Sequence, residues 1–343
     1  MMSESNEPEF NTNEEMNENP EDGNNRYSDV DFVYATVLTV KHELQKVIIG
    51  MDSTIDLVMA GLLSNGHILL EGVPGIAKTM LVRLLAKTLD VKFTRIQFTP
   101  DLMPSDVLGT TVFNMQSSNF YFREGPVFSN FILADEINRS PAKTQAALFE
   151  VMEERQVSVD GQTHELGFPL YVVATQNPIE QEGTYRLPEA QLDRFIFRVK
   201  IGYPNLEEEQ KILQRFKSDF TGKIEHDVGK VFSADNIKKC CDIIEKVHIK
   251  DELIDYIAKV VNETRNNPGL FLGASPRASL AIMKTSKAIA AMKGRDYVTP
   301  DDIQLVAYPV LNHRIILTPE REIEGIEPED VIREIIQRVE VPR

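Results

Sequence analysis

A lysine and a threonine stand side by side in EGVPGIAKTM, residues 71 to 80, at the spacing with which a glycine-bearing loop holds phosphate. In the pattern G-x-x-x-x-G-K-[ST], backbone N–H groups cradle phosphate oxygens, the lysine reaches the β and γ phosphates, and the hydroxyl ligates Mg²⁺. Gly72, Val73, Pro74, Gly75, Ile76, Ala77, Lys78 and Thr79 fill those places. The orphan donors and dipole of the helix that must follow both favour negative charge there. Position 77 departs from the pattern, with Ala for the second Gly. That is tolerable if the residue has helical angles, since Gly is required only where φ is positive or an atom passes close.

Two further stretches bring the groups that a bound triphosphate needs. In FILADEINR, the apolar strand Phe131 to Ala134 delivers Asp135 and Glu136 at its carboxyl end, where ligands bind in open α/β sheets. Asp135 suits Mg²⁺ held through water, and Glu136 suits polarising the water that attacks the γ phosphate. LYVVATQNP ends a third strand in Thr175, Gln176 and Asn177. An amide at that tip can position the same water, so Asn177 is a candidate γ-phosphate sensor. ATP and Mg²⁺ are the cofactors to expect.

Placing these groups takes a strand–loop–helix unit, and HILLEG followed by the loop and MLVRLLAKTL reads as one. Ahead of it, residues 33 to 48 and 52 to 64 have helical apolar spacing. Helical patterns recur at 206 to 217, 234 to 247, 251 to 265 and 276 to 293, and TPDDIQLVA opens a fifth. Residues 111 to 128 read as a hairpin turning near Ser117, Ser118 and Asn119, set into a helix. Residues 155 to 166 alternate about Asp160-Gly161, a strong hairpin signal. In GASPRASL, Ser275 suits an N-cap and Pro276 the first helical position, which puts Arg277 in the first turn. A cation is misplaced there on dipole grounds unless an anion meets it.

Composition narrows the class. A chain of 343 residues can bury a proper core, and no apolar run reaches the roughly 18 to 20 residues that would span a bilayer. The first 30 residues hold no secretory signal, so the expected compartment is the cytoplasm. Through Asp31 there are ten acidic residues and one basic residue, Arg26, so this segment holds nine of the sixteen net negative charges. It should be a disordered acidic tail. The acidic balance also argues against a general nucleic-acid binder, because neutralising phosphates needs a basic face. Cys240 and Cys241 are adjacent on a helix, a poor geometry for a disulfide and too few ligands for a metal site.

The phrases EGVPGIAKT, FTPDLMPSDVLGT, ADEINRSPAKTQAALFEVMEERQVSVDG and ATQNPIEQEGTYRLPEAQLDRF resemble the MoxR family of AAA+ ATPases, in which Ala at the second Gly position is usual. The resemblance covers about residues 33 to 343. It implies an α/β core with a five-stranded parallel sheet flanked by helices, a helix-2 insert, a hairpin before the first sensor, and a small all-α lid. The corresponding divisions are a tail at 1–31, a core at 32–203, and a lid with C-terminal segment at 204–343. Such proteins form rings, typically hexamers, with ATP at each subunit boundary. The resemblance assigns Arg194 as an arginine finger, Arg277 as a second sensor lowered from the lid onto the γ phosphate, and Val47, Ile48, Ile49 and Gly50 as the adenine wall. It leaves open whether Arg139 faces a neighbouring subunit. Phe120, Tyr121 and Phe122 become candidate client contacts, with at least one of them expected to pack inside the hairpin.

The implied activity is Mg-dependent ATP hydrolysis that drives chaperone-like maturation of protein clients, with a separate partner containing a von Willebrand factor A domain. The alternatives are a DNA-directed motor, a nucleotide-gated scaffold with little turnover, and a magnesium-chelatase-like subunit.

Overall fold

The computed structural model describes residues 20–178, 184–217 and 227–342, except for the side chains of 20–28. Five apolar strands form its centre: β1 (His67–Glu71), β2 (Phe93–Gln97), β3 (Phe131–Asp135), β4 (Tyr171–Gln176) and β5 (Phe195–Lys200). They pair in the order β5-β1-β4-β3-β2, and every pairing is parallel. The inner strands β1 and β3 are buried along their whole length, as expected of a parallel sheet covered on both faces.

Alternate side chains serve the two faces. Ile68, Leu70, Leu133 and Val173 join α1 (Pro20–Gln45), α2 (Asp52–Leu63) and α3 (Lys78–Thr88) in one buried cluster. Leu69, Ile132, Val172 and Ala174 join Val107 of α4 (Pro104–Leu108) and Leu148, Phe149 and Met152 of α5 (Ala142–Glu154) in a second. A short α6 (Glu189–Leu192) leads into β5. The lid follows as α7 (Leu206–Phe216), α8 (Ala234–Glu245), α9 (Asp251–Asn266), α10 (Pro276–Met292) and α11 (Pro300–Leu311), and α12 (Pro319–Ile323) and α13 (Pro328–Arg338) complete the chain.

Three sequence expectations are corrected. The first helix begins at Pro20 and already buries Val30, so the supposed tail is helical from residue 20; residues 1–19 lie outside the described residues. The hairpin Gly109–Asn114 with Asn119–Glu124 follows the five-residue α4 and does not interrupt a longer helix. Gly109, at φ 105°, ends that helix, and a Cβ there would collide with the Arg123 carbonyl. The lid is also less separate than a boundary at 204 suggests. Ile237, Ala281 and Ile289 share the cluster of Val33, Val37 and Val40, and Leu89–Asp90 pairs in parallel with Phe232–Ser233.

His67 ties together three elements that position the site. Its Nδ1 accepts from the Val172 amide at 3.1 Å, and its Nε2 donates to the Met152 carbonyl at 3.1 Å. Burial, with a smaller push from Arg155, lowers its pKa from 6.5 to about 4. The neutral form is therefore the folded form. Its stabilisation is full above about pH 6.5 and is lost as pH falls towards about 4, at up to about 1.4 kcal/mol per pH unit. His313, also buried and shifted downward, adds the same sign. His67→Gln, which keeps one donor and one acceptor, should flatten the pH dependence of the urea midpoint between pH 4 and 6.5. An unchanged slope would show that His67 does not stay neutral.

Candidate functional site

The phosphate loop joins β1 to α3, and its backbone explains the pattern position by position. Gly75 has φ 85° and Ala77 has φ 65°, ψ 19°. Ala77 is thus left-handed, not helical as the tolerance argument required. The inward turn of successive N–H groups demands a conformation that costs an L residue roughly 1–2 kcal/mol. The loop retains that strain where a second Gly would remove it. The Lys78 ammonium donates to the carbonyls of Gly72 and, at 3.1 Å, Val73.

Asp135 is only 4 % exposed and accepts from four donors. They are Thr79 Oγ1 (3.1 Å), Thr175 Oγ1 (2.6 Å), and Arg95 Nε (3.1 Å) and Nη2 (2.7 Å). The Thr175 hydroxyl also accepts from the Glu136 amide at 2.9 Å, so one side chain fixes both acids. Thr79 and Asp135 are hard oxygen donors that fit Mg²⁺. Among the described residues no three His, Cys, Asp or Glu converge on one point. A Mg²⁺ here would therefore complete its shell with phosphate and water, as this ion usually does.

Glu136 is held at φ 55°, ψ 50°, an uncommon place for a non-glycine residue and one found at functional sites. Its Oε2 accepts from Gln97 Nε2 at 2.9 Å and Arg139 Nη1 at 3.2 Å. Its described partners all meet Oε2, and none of them meets Oε1. Arg139 thus pairs with Glu136 of its own chain. Asn177 is buried beside Thr175 and Gln176, in the same ≈ 360 Å³ cleft as Lys78, Asp135 and Glu136.

A second hollow of ≈ 720 Å³ continues from this cleft past Pro74–Ala77. Val47, Ile48, Ile49 and Gly50 line it as expected, opposite Tyr203 and Ile212, Leu213 and Phe216 of α7. Its apolar walls and open end fit a nucleobase. The Glu208 side chain also approaches Gly50 closely, where an added Cβ would meet it.

Arg194 and Arg277 line neither hollow. Arg194 precedes β5, and Phe195 aligns with His67 at the amino end of β1, whereas the phosphate loop follows the carboxyl end. Five residues of strand, roughly 3.3 Å each, separate the two ends. Arg194 meets Glu153 Oε2 at 2.7 Å and the Phe149 carbonyl at 2.5 Å. Arg277 meets Glu153 Oε1 at 2.8 Å and Asp193 at 3.6 Å. The resemblance sets Arg277 on a γ phosphate; in this chain it lies away from its own cleft, held by Glu153 and Asp193. Ser275 holds the N-cap position without a capping bond. The Ala278 amide bonds the Ser275 carbonyl instead, and the hydroxyl is buried without a partner among the described residues.

Sequence reasoning missed Arg95, Gln97, Thr175 as a bridge, and the α7 wall. Arg95 and Gln97 sit on edge strand β2, whose mixed burial leaves no apolar run to mark it. The hairpins divide the three aromatics: Phe120 and Tyr121 are exposed, while Phe122 stacks on His164 at 4.3 Å. Both cysteines are free thiols, with pKa values pushed up by burial to about 12 and about 11. No helix among the described residues is long and apolar enough to cross a membrane.

A phosphate loop after β1, acids at the tip of β3, an amide at the tip of the intervening β4, and a helical lid define an AAA+ nucleotide-binding module. Residues 67–197 match the ATPase family associated with various cellular activities (AAA), and residues 262–335 match the AAA lid domain. The chain is 47 % identical to YeaC of Bacillus subtilis over 88 % of its own length and 93 % of that protein. It is 44 % identical to Chaperone MoxR1 of Mycobacterium tuberculosis, over 88 % of this chain and 81 % of the other. A crystal structure from Cytophaga hutchinsonii, provisionally classed as an ATPase, superposes with a TM-score of 0.85 at 42 % identity, covering 94 % of this chain and 99 % of that one. The chain belongs to the MoxR family of AAA+ ATPases.

Proposed function

We propose that the chain assembles into a homohexameric ring in the cytoplasm. The ring hydrolyses Mg·ATP at sites shared between neighbouring copies and uses the energy to remodel protein clients in the manner of a chaperone. Two arginines carry this conclusion: Arg194 and Arg277 gather at an edge from which they cannot reach their own chain's cleft. A guanidinium suits a developing phosphate charge because it is a fixed, forked cation. Supplied across a boundary, the pair completes the site of the next copy.

At that site the N–H groups of Gly75 to Thr79 and the Lys78 ammonium hold the phosphates. Thr79 and Asp135 would hold Mg²⁺, which supplies positive charge to the phosphate oxygens when bound. Glu136 accepts the proton of the attacking water and Asn177 orients it. The adenine lies between Ile48–Gly50 and α7. Phe120 and Tyr121, exposed on their hairpin, touch the client. The name of the MoxR1 relative supports a chaperone role, and a separate protein with a von Willebrand factor A domain acts as adaptor. DNA is not the substrate, in keeping with the net charge of -16.

Steady-state ATPase activity, measured against protein concentration with and without Mg²⁺ while assembly mass is recorded, tests this. Specific activity per chain should rise with the assembled fraction and vanish on chelation. Constant specific activity down to concentrations at which the chain is a monomer would overturn the shared site.

A further inference from the structure

Glu153 closes α5 with one carboxylate oxygen on each of two arginines from distant parts of the chain. Oε2 lies 2.7 Å from Arg194 Nη2, and Oε1 lies 2.8 Å from Arg277 Nη2. Each charge is misplaced in its own helix. Glu153 sits in the last turn of α5, at the negative end of the dipole, and no basic residue shares that turn. Arg277 sits in the first turn of α10, at the positive end. Neither position makes local sense, but together they compensate each other.

Nearby Arg314 shows what a structural arginine looks like in this fold. It is 8 % exposed, and all its nitrogens are engaged, with Asp193 and with the carbonyls of Ile196, Val310, Asp193 and Phe195. The Glu153 clasp is different. The side chains of Arg277, Arg194 and Glu153 are 57 %, 28 % and 36 % exposed, and Arg194 Nε is buried without an acceptor among the described residues. Glu153 is the one anion that meets both arginines at this accessible edge, Asp193 standing farther off, 3.6 Å from Arg277 and already bound by Arg314; a phosphate shares the carboxylate's geometry, since a guanidinium fork binds either group in the same way.

We propose that Glu153 is an internal stand-in for phosphate: it holds Arg194 and Arg277 as a preformed pair in the unassembled chain, and the terminal phosphate of a nucleotide on a second copy displaces it. This rests on the shared-site reading above and adds its regulation. Because the incoming anion must outcompete a carboxylate already in place, the γ phosphate engages the pair and the shorter, less charged diphosphate does so poorly. Glu153 is a positioning residue that makes assembly sensitive to the difference between ATP and ADP.

The test measures assembly mass against concentration for the full chain, in ADP and in a non-hydrolysable ATP analogue, for wild type, Glu153→Gln and Arg194→Ala, with a thermal melt of each. Glu153→Gln should lower the ADP assembly midpoint by about tenfold and the analogue midpoint by less, shrinking the ratio between them. Unchanged midpoints, an unchanged or larger ratio, or lost assembly in a folded chain would make Glu153 a structural tie and overturn the proposal. If Glu153→Gln does not fold, Glu153→Asp substitutes for it: the shorter acid cannot span both arginines and should shrink the ratio likewise. Should Arg194→Ala lose turnover while Glu153→Gln matches wild type, the shared site stands and the clasp alone is wrong. If Arg194→Ala assembles and turns over like wild type, the shared site itself fails and the clasp falls with it.

Discussion

Glu136→Gln should bind ATP as the wild type does and hydrolyse it about 10²- to 10⁴-fold more slowly, the range over which a positioned proton acceptor acts. Gln has the same shape, so its Oε can still accept from Gln97 and Arg139, and the left-handed backbone at φ 55° costs either residue about the same. What disappears is the second carboxylate oxygen. Asp135, Thr79 and Lys78 are untouched, so nucleotide affinity should hold. Single-turnover hydrolysis together with equilibrium binding of a fluorescent ATP analogue separates the two effects. Near-normal hydrolysis in the variant would move the proton acceptor elsewhere.

Arg194→Ala should lower kcat by about 10³- to 10⁵-fold, the value of a fixed guanidinium on a transferring phosphoryl group. Binding of ATP to the mutant chain should be unchanged, because Arg194 lines neither nucleotide hollow. Loss of its bonds to Glu153 and the Phe149 carbonyl weakens the end of α5 by about 1 kcal/mol, after allowance for solvent screening. A melting curve reads that small local cost. Complementation gives the sharper result: Arg194→Ala chains mixed with Lys78→Ala chains form some boundaries with an intact loop on one side and an intact arginine on the other. Activity should reappear in the mixture. If the mixture stays inactive while co-assembling, Arg194 works within its own chain.

What the sequence made legible was local. The strand–loop–helix around Lys78, the turn at Asp160-Gly161 and the five lid helices are written in runs of about ten residues, so their placement needed no knowledge of distant packing. What it hid was relational. Whether Ala77 is helical depends on how the loop closes between β1 and α3, and Arg95 reaches Asp135 only because β2 lies beside β3. Arg277 was recognised as a cation awaiting an anion, yet which edge it occupies is set by α10 packing on α1 and α2. The start of the first helix was missed because residues 20 to 29 carry no apolar stripe.

The seam between lid and core has a mechanical meaning. Val33, Val37 and Val40 share one buried cluster with Ile237, Ala281 and Ile289, and the strand pair Leu89–Asp90 with Phe232–Ser233 stitches the same seam. Among the lid helices α7 to α11, α7 alone, beside the hollow lined by Ile48 to Gly50, has no buried residue. Among the described residues the two halves are joined along this packed seam, with α7 held most loosely. On the proposed ring, a chain stitched in this way predicts that motion falls between neighbouring copies rather than between its own lid and core.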